Sequence, residues 1–318
     1  MSGQTGIEWC EVTWNLVTGC TKVSEGCRNC WACRLAATRL KNHPRYRGLA
    51  TYPDLRGAVP HWTGEVRLHP ELLNQPLHWR KPKRIFVCSQ ADLFHVGVDY
   101  GFITGVMAAI ARCPQHTFLL LTKRSDRMYK YFTNCGFENH TLPNFWLGVS
   151  VEDQKTADKR IPLLLHTPAA VRWVSYEPAL GPVNLQNYLP HALYMSGETP
   201  SGSEGLDWVV GGGESGPNAR PSHPDWFRTI RNQCRAAGVP FFFKQWGEWM
   251  PIFHGINPSE NDRKCKIRGG FTFPISLETP GIKVPGNPDI GQHMWKIGKK
   301  GAGRMLDGRE WNKFPKTP

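Results

Sequence analysis

Residues 18–32 read Thr-Gly-Cys-Thr-Lys-Val-Ser-Glu-Gly-Cys-Arg-Asn-Cys-Trp-Ala. Cys20, Cys27 and Cys30 stand in this stretch as C-x6-C-x2-C. Gly19 and Gly26 each precede a cysteine. Glycine allows positive φ and close backbone approach, which a chain wrapping a bulky inorganic group needs. After Cys30 the apolar spacing turns helical through Ala32, Leu35, Ala36 and Leu40, so the thiols gather where a helix begins. A helix start favours thiolate over thiol. Zinc would ask for a fourth ligand, which Cys33 or a histidine could supply. A disulfide would join only two of the three. A [4Fe–4S] cluster is normally held by four thiolates, so three leave one iron open to a non-protein ligand.

Residues 8–17 alternate as a strand leading into this loop, and the helix after it is expected to end near His43-Pro44. Apolar stretches at 64–69, 84–89, 117–122, 145–150, 171–175, 207–211 and 240–244 then alternate with helical stretches. Two examples are 153–165 and 223–237, the second stopped by Gly238. Near-continuous apolar strands between amphipathic helices make an α/β fold with a parallel sheet. Six to eight such units predict a (β/α) barrel, full or partial, with an open doubly wound sheet as the alternative. The barrel is expected over residues 1–250. Residues 251–318 read as an irregular basic extension packed on it through its tryptophans. The basic runs 263–268 and 296–304 in that extension suit either a grip on phosphates or a solvated face.

In such folds chemistry sits at the C-terminal ends of the strands. Here those ends carry Ser89 and Asp92, Lys123, Ser150 and Glu152, Glu177, Glu214 with Ser215, and Lys244. Cys88 lies just before one exit. It reads as a buried small hydrophobe or as a thiol near a radical intermediate. Asp92, Glu152 and Glu177 suit holding a substrate or a ribose, or else orienting their neighbours.

The chain has 318 residues, 40% hydrophobic and 20% charged, with no apolar run of membrane-spanning length. Ten cysteines and no export-type leader lead us to expect reduced thiols and a cytoplasmic compartment, that of the host cell if the gene belongs to a phage. A formal charge of +13 and a pI near 9.4 point to a polyanionic partner, nucleic acid or nucleotide, with DNA favoured.

The ordered set of cysteine loop, Ser-Gln-Ala-Asp-Leu-Phe, Leu-Thr-Lys-Arg, Gly-Val-Ser-Val-Glu, Ser-Tyr-Glu-Pro, Gly-Gly-Glu-Ser-Gly and Phe-Phe-Lys-Gln-Trp-Gly resembles a phage- and prophage-associated radical S-adenosylmethionine (SAM) family. That family is distantly similar to spore photoproduct lyase. The common loop spacing of radical SAM enzymes is C-x3-C-x2-C, so this chain keeps the second gap and lengthens the first. The resemblance implies a [4Fe–4S] cluster on Cys20, Cys27 and Cys30, SAM on the open iron, and a reducing donor such as flavodoxin or ferredoxin. It implies reductive cleavage of SAM to a 5′-deoxyadenosyl radical that takes hydrogen from a nucleobase-type substrate. Rearrangement of a hypermodified thymine in phage DNA, an isomerase reaction, is one form of this.

Under the resemblance, Lys123 pairs with the SAM carboxylate, with Ser150 nearby and Arg160 neutralising the same group. Asn29 and Trp31 flank the last cluster cysteine, where an aromatic commonly contacts adenine. Ser89, Asp92 and Glu152 complete the cofactor side, and Cys88, Glu177 and Glu214 the catalytic side. A radical SAM enzyme acting on a protein or small metabolite, and a metal-bearing nucleic-acid-binding protein without catalysis, are the alternatives.

Overall fold

The structure is a computed structural model, and it describes residues 5–53, 59–134, 141–190, 205–251, 270–272 and 293–316. The basic run 263–268 and most of residues 252–292 lie outside the described residues.

Seven strands form one parallel sheet: β1 (Val12–Trp14), β2 (Arg84–Val87), β3 (Thr117–Thr122), β4 (Phe145–Val151), β5 (Val171–Tyr176), β6 (Trp208–Gly212) and β7 (Phe241–Gln245). Their spatial order is their chain order. A doubly wound sheet reverses direction at a switch point, and this one never does. Right-handed crossovers running one way keep the helices on a single face. The result is a partial barrel, open between β1 and β7. Helices α1 (Trp31–Ala37), α2 (Tyr100–Ala111), α3 (Ser125–Asn134), α4 (Gln154–Leu165) and α5 (Pro224–Ala236) cover it. Asp99 caps α2 by accepting from the Phe102 N–H, and Asp153 caps α4 in a reciprocal box with Thr156. Among the described residues no helix is long and apolar enough to cross a membrane.

Strand side chains alternate between two faces, and the two faces build two cores. Ile85, Val87, Phe118, Leu120, Leu147, Val149 and Val174 pack with the helices. Phe86, Leu119, Trp146, Trp173, Trp208 and Phe242 fill the inner face together with Trp9. Trp9 lies 4.7 Å from the Phe86 ring and 5.2 Å from Trp173. Phe314, near the C-terminus, closes this floor at 5.2 Å from Trp208. Towards the strand exits the same face carries Gly148, Ser150, Ser175 and Gly212. Aromatic bulk at one end and small residues at the other leave space at the mouth.

Two expectations about elements need correction. The segment near 64–69 is not a strand of the main sheet. Arg67–Leu68 pairs antiparallel with Val17–Thr18, and two short 3-10 turns, Pro70–Leu72 and Gln75–His78, come next. Its apolar residues serve the base of the cysteine loop, so the sheet has seven strands. The helix after Cys30 stops at Ala37, not near His43. The Leu40 N–H bonds back to the Leu35 carbonyl, closing a wide C-terminal turn, and the Thr38 hydroxyl bonds to the Arg34 carbonyl.

After β7, β8 (Trp249–Pro251), β9 (Gly270–Thr272) and β10 (His293–Lys296) form a small antiparallel sheet, and α6 (Lys299–Ala302) comes after it. Trp311 packs by its ring against Phe241. Asp307 binds Arg228 and Arg231 of α5.

Candidate active site

The cysteine loop lies across the mouth, and the strand exits hold it from both sides. On one side, the Arg124 guanidinium donates to the Thr21 carbonyl at 3.0 Å and to its hydroxyl at 2.7 Å. The same nitrogen is 4.0 Å from Cys20 Sγ. The Ser24 hydroxyl donates to Glu152 Oε1 at 2.9 Å. On the other side, Asn29 Nδ2 donates to Glu214 Oε2 at 3.0 Å and to the Asn218 carbonyl at 2.8 Å. Arg220 grips Glu214 through Nη2 at 2.7 Å and reaches the Glu25 carbonyl at 2.9 Å.

Glycine makes these approaches possible. A Cβ on Gly26 would fall 2.5 Å from Glu152 Oε1. Gly19, at φ +87°, lies so close to the Glu65 carbonyl that a Cβ would fall 2.1 Å from its oxygen. Gly19 therefore excludes a side chain, and one at position 26 would displace the Glu152 carboxylate or the loop.

Glu152 is the hub of the first side. It is buried and accepts from Lys123 Nζ at 2.7 Å and from Arg160 Nη1 at 2.9 Å. Burial opposes its charge, but Lys123, Arg160 and the hydrogen-bond donors outweigh that and hold its carboxyl below the usual range. Arg160 is itself buried and also binds the Ser150 carbonyl at 2.7 Å. Asp92 ties two exits together, accepting from the Thr122 hydroxyl at 2.7 Å and the Lys123 N–H at 3.2 Å. Ser89 donates to Asn15 at 3.0 Å. A cleft of about 490 Å³ opens between the loop and the starts of α3 and α4, lined by Val23, Ser24, Lys123, Glu152, Lys155 and Arg160 among others.

A second ion pair lies inside the barrel. Lys244 Nζ binds both oxygens of Glu177, at 2.9 and 2.8 Å. Gln245 Nε2 donates to Glu177 at 3.0 Å and to Ser215 at 3.0 Å. Burial disfavours the Lys244 charge, yet Glu177 holds its pKa above the usual lysine value.

Cys20, Cys27 and Cys30 are free thiols at intermediate exposure. Burial, then the Asp92 carboxylate, push Cys20 up to about 12 against the pull of Arg124. Cys30 precedes α1 directly, and its thiol is also raised, by burial above all, although the N–H groups of Cys33 and Ala32 pull the other way. The helix start alone does not make it a thiolate, because α1 is short and the sulfur is buried. The sulfurs affect one another's charge, Cys20 with Cys30 and Cys30 with Cys27. Among the described residues no three His, Cys, Asp or Glu close in as ligands of one metal ion do.

The donor chemistry fits an iron–sulfur group. Three soft thiols share one loop, none is bridged to another, and each iron of a cubane takes one thiolate. Asn29 Oδ1, next in sequence to Cys30, is buried without a donor among the described residues.

The remaining expected residues divide. Trp31 begins α1 at 50% exposure, open to stack on a ligand. Cys33 is fully buried, as a thiol under the helix should be. Cys88, read as a buried small hydrophobe or as a thiol near the reacting atoms, is the former: it lies in the outer apolar core with Val12, Trp14 and Leu16 and is not brought to the mouth. Its thiol is pushed up to about 12 by burial, and a chain turn at φ +55° carries it inward.

Residues 4–315 match the model of one protein family, described as "Protein of unknown function (DUF5131)". The chain belongs to the DUF5131 family. No curated protein matches this DUF5131 chain. Among solved structures it is similar to a point mutant of spore photoproduct lyase, at 10% identity and TM-score 0.39, over 93% of this chain and 71% of that one. It is also similar to spore photoproduct lyase complexed with dinucleoside spore photoproduct, at 9% identity and TM-score 0.38, over the same shares. At this identity, residue roles do not transfer from one chain to the other.

Arg124, Arg220 and Asn218 hold the loop without having been expected to. Arg124 closes the motif Leu-Thr-Lys-Arg, while Arg220 and Asn218 lie in no motif of the sequence.

Proposed function

We propose that this DUF5131 protein is a radical SAM enzyme acting on a nucleobase-type substrate. The observation that carries the reading is the cysteine loop itself: three unbridged thiols held over the mouth of a partial barrel by Arg124, Glu152, Glu214 and Arg220. Cys20, Cys27 and Cys30 would hold a [4Fe–4S] cluster. With SAM bound, the cluster, reduced by an external donor, would supply the one electron that breaks the S–C5′ bond of SAM into methionine and a 5′-deoxyadenosyl radical able to take a hydrogen atom from substrate.

The chain's own residues do the rest. Lys123 keeps one bond to Glu152 and has further donors for a carboxylate in the adjoining cleft. Glu152 holds that lysine in place at 2.7 Å, and Lys123 and Arg160 together outweigh burial and keep Glu152 ionised. Asn29 Oδ1 offers one unanswered acceptor beside Cys30 for a ligand N–H. The aromatic floor of Trp146, Trp173 and Trp208 keeps water from the inner end of the barrel. Small residues at Ser150, Ser175 and Gly212 leave room for a base above it. Glu177 and Lys244 present a fixed dipole to the polar edge of that base. The basic balance of the chain fits a polyanionic substrate such as DNA.

The test is anaerobic reconstitution with iron and sulfide, then an assay for 5′-deoxyadenosine from SAM and dithionite, with and without thymine-modified phage DNA. The reading expects 5′-deoxyadenosine in both, and more with the right substrate. A fully loaded protein that leaves SAM intact refutes it.

A further inference from the structure

The partial barrel is open between its first and last strands, and a pocket sits at that seam. It has a volume of about 360 Å³ and is lined by Glu8, Lys244, Gln245, Lys299, Lys300 and Arg304 among others. Glu8 comes from the segment before β1, Lys244 and Gln245 from β7, and the other three from α6 and the turn after it. So the C-terminal extension, far off in sequence, supplies the outer wall.

The pocket's chemistry is divided. Two of its lining residues carry acceptors without donors. Gln245 Oε1 is buried with no hydrogen-bond partner among the described residues, although its Nε2 is fully engaged with Glu177 and Ser215. Gln245 is only 3% exposed. Glu8 Oε2 is likewise buried and unanswered, while Glu8 Oε1 faces Lys299 at 3.5 Å. The outer end carries Lys299, Lys300 and Arg304. Arg304 donates to Asn312 Oδ1, lies over the Phe242 ring and meets Glu310 at 3.8 Å. Unanswered buried acceptors cost stability, and such a cost is recovered where a ligand supplies the donors.

An inorganic anion would suit the outer cations but leave Gln245 Oε1 without a donor. An uncharged polyol would do the reverse. A ligand with an N–H donor at one end and a phosphate at the other answers both. The volume lies at the small end of the roughly 300–1,000 Å³ range of ligand pockets, and it suits one nucleotide, not a duplex. We infer that the seam pocket binds a single nucleotide unit, with a base N–H on Gln245 Oε1 and the phosphate on Lys300 and Arg304, beside the Lys299–Glu8 pair. This inference takes the nucleobase substrate from the reading above. It adds where the substrate enters: Gln245 and Lys244 both bind Glu177, so the pocket's inner end adjoins the ion pair inside the barrel.

The phosphate could belong to a DNA strand or to a free nucleotide. The full-length protein is titrated with a fluorescein-labelled single-stranded oligodeoxynucleotide by anisotropy, at several salt concentrations, and with dTMP and inorganic phosphate by calorimetry. The variants are Lys300→Glu, the double variant Lys299→Ala/Lys300→Ala, and Lys130→Glu on the exposed face of α3 as a control. Lys300 is exposed, so its variants fold. The inference expects tenfold or greater loss of oligonucleotide affinity for Lys300→Glu and a salt slope lower by about one, against less than twofold for the control. A parallel loss of dTMP affinity identifies the free nucleotide as ligand; a loss confined to the oligonucleotide identifies the strand. Wild-type affinity in both lysine variants, a loss no greater than the control's, or no binding of any probe by the wild type overturns the inference. SAM cleavage is measured separately without substrate, so a failed pocket and a failed radical reading give different results.

Discussion

Gly26 and Glu152 touch across the mouth: any Cβ at position 26 would sit 2.5 Å from the Glu152 carboxylate. The cysteine loop can lie where it does because residue 26 has no side chain. Gly26→Ala forces either the loop or the carboxylate to move, while the barrel beneath keeps its core. The expected outcome is a folded protein with an unchanged far-UV spectrum that takes up less than half the wild-type iron on reconstitution. Iron and sulfide assays on the two proteins, side by side, check it.

Lys123 and Glu152 form one buried pair at 2.7 Å. Breaking such a pair by removing one partner costs about 3–5 kcal/mol, because a buried charge loses its partner. Arg160 remains on Glu152, so the lower end of that range is expected for Lys123→Met. SAM affinity should fall at the same time, by about tenfold or more for one lost charged contact. Equilibrium binding of SAM to the reconstituted variant, alongside its thermal melt, separates the two effects. Unchanged SAM affinity would remove Lys123 from the cofactor's surroundings.

Gly148 shares the inner face with Trp173, and a Cβ there would fall 2.5 Å from the indole. Overpacking of this kind costs about 1–3 kcal/mol. Gly148→Ala is expected to lower denaturant stability by that amount and to shift tryptophan emission.

Asp307 docks the C-terminal extension on α5 through Arg228 and Arg231. Partial burial disfavours its charge, but the two guanidinium groups more than compensate and hold its carboxyl below the usual aspartate value of 3.8. A depressed carboxyl contributes stability that is present above its unfolded pKa and lost as pH falls through the folded one. Asp307→Asn should therefore be less stable than wild type near pH 7. Asp307 is one-third exposed, so the difference is about 1 kcal/mol or less. Below pH 3.8 the gap should close. Urea denaturation at the two pH values checks the sign.

Much of this arrangement was legible in the chain. Strands ending in Lys123, Glu152, Glu177 and Glu214 announced one mouth, because alternating apolar strands and helices fix where strand ends converge. The cysteine spacing announced the loop. Position 64–69 misled because the alternation of Val66 and Leu68 with polar residues reads the same whether it joins a parallel sheet or pairs antiparallel with Val17–Thr18. Of the two readings of Cys88, the buried small hydrophobe is the one the structure shows, because one residue of left-handed backbone turns this strand-end side chain into the core. Arg220 and Asn218 were invisible because a clamp needs two distant segments, and no local pattern records the partner. The aromatic floor was written in the alternation of Trp146, Gly148 and Ser150, but a run with apolar residues on both faces hides its period.

The central claim is that Cys20, Cys27 and Cys30 hold a cubane with one iron free for SAM. The direct measurement is iron and sulfide content with low-temperature electron paramagnetic resonance of the reduced protein, before and after SAM is added, for the wild type and for alanine variants at positions 20, 27, 30 and 33. The account predicts about four iron and four sulfide per chain in the wild type, a signal that changes with SAM, loss of both in the first three variants, and retention in Cys33→Ala. One zinc per chain, or a cluster whose signal ignores SAM, would contradict it.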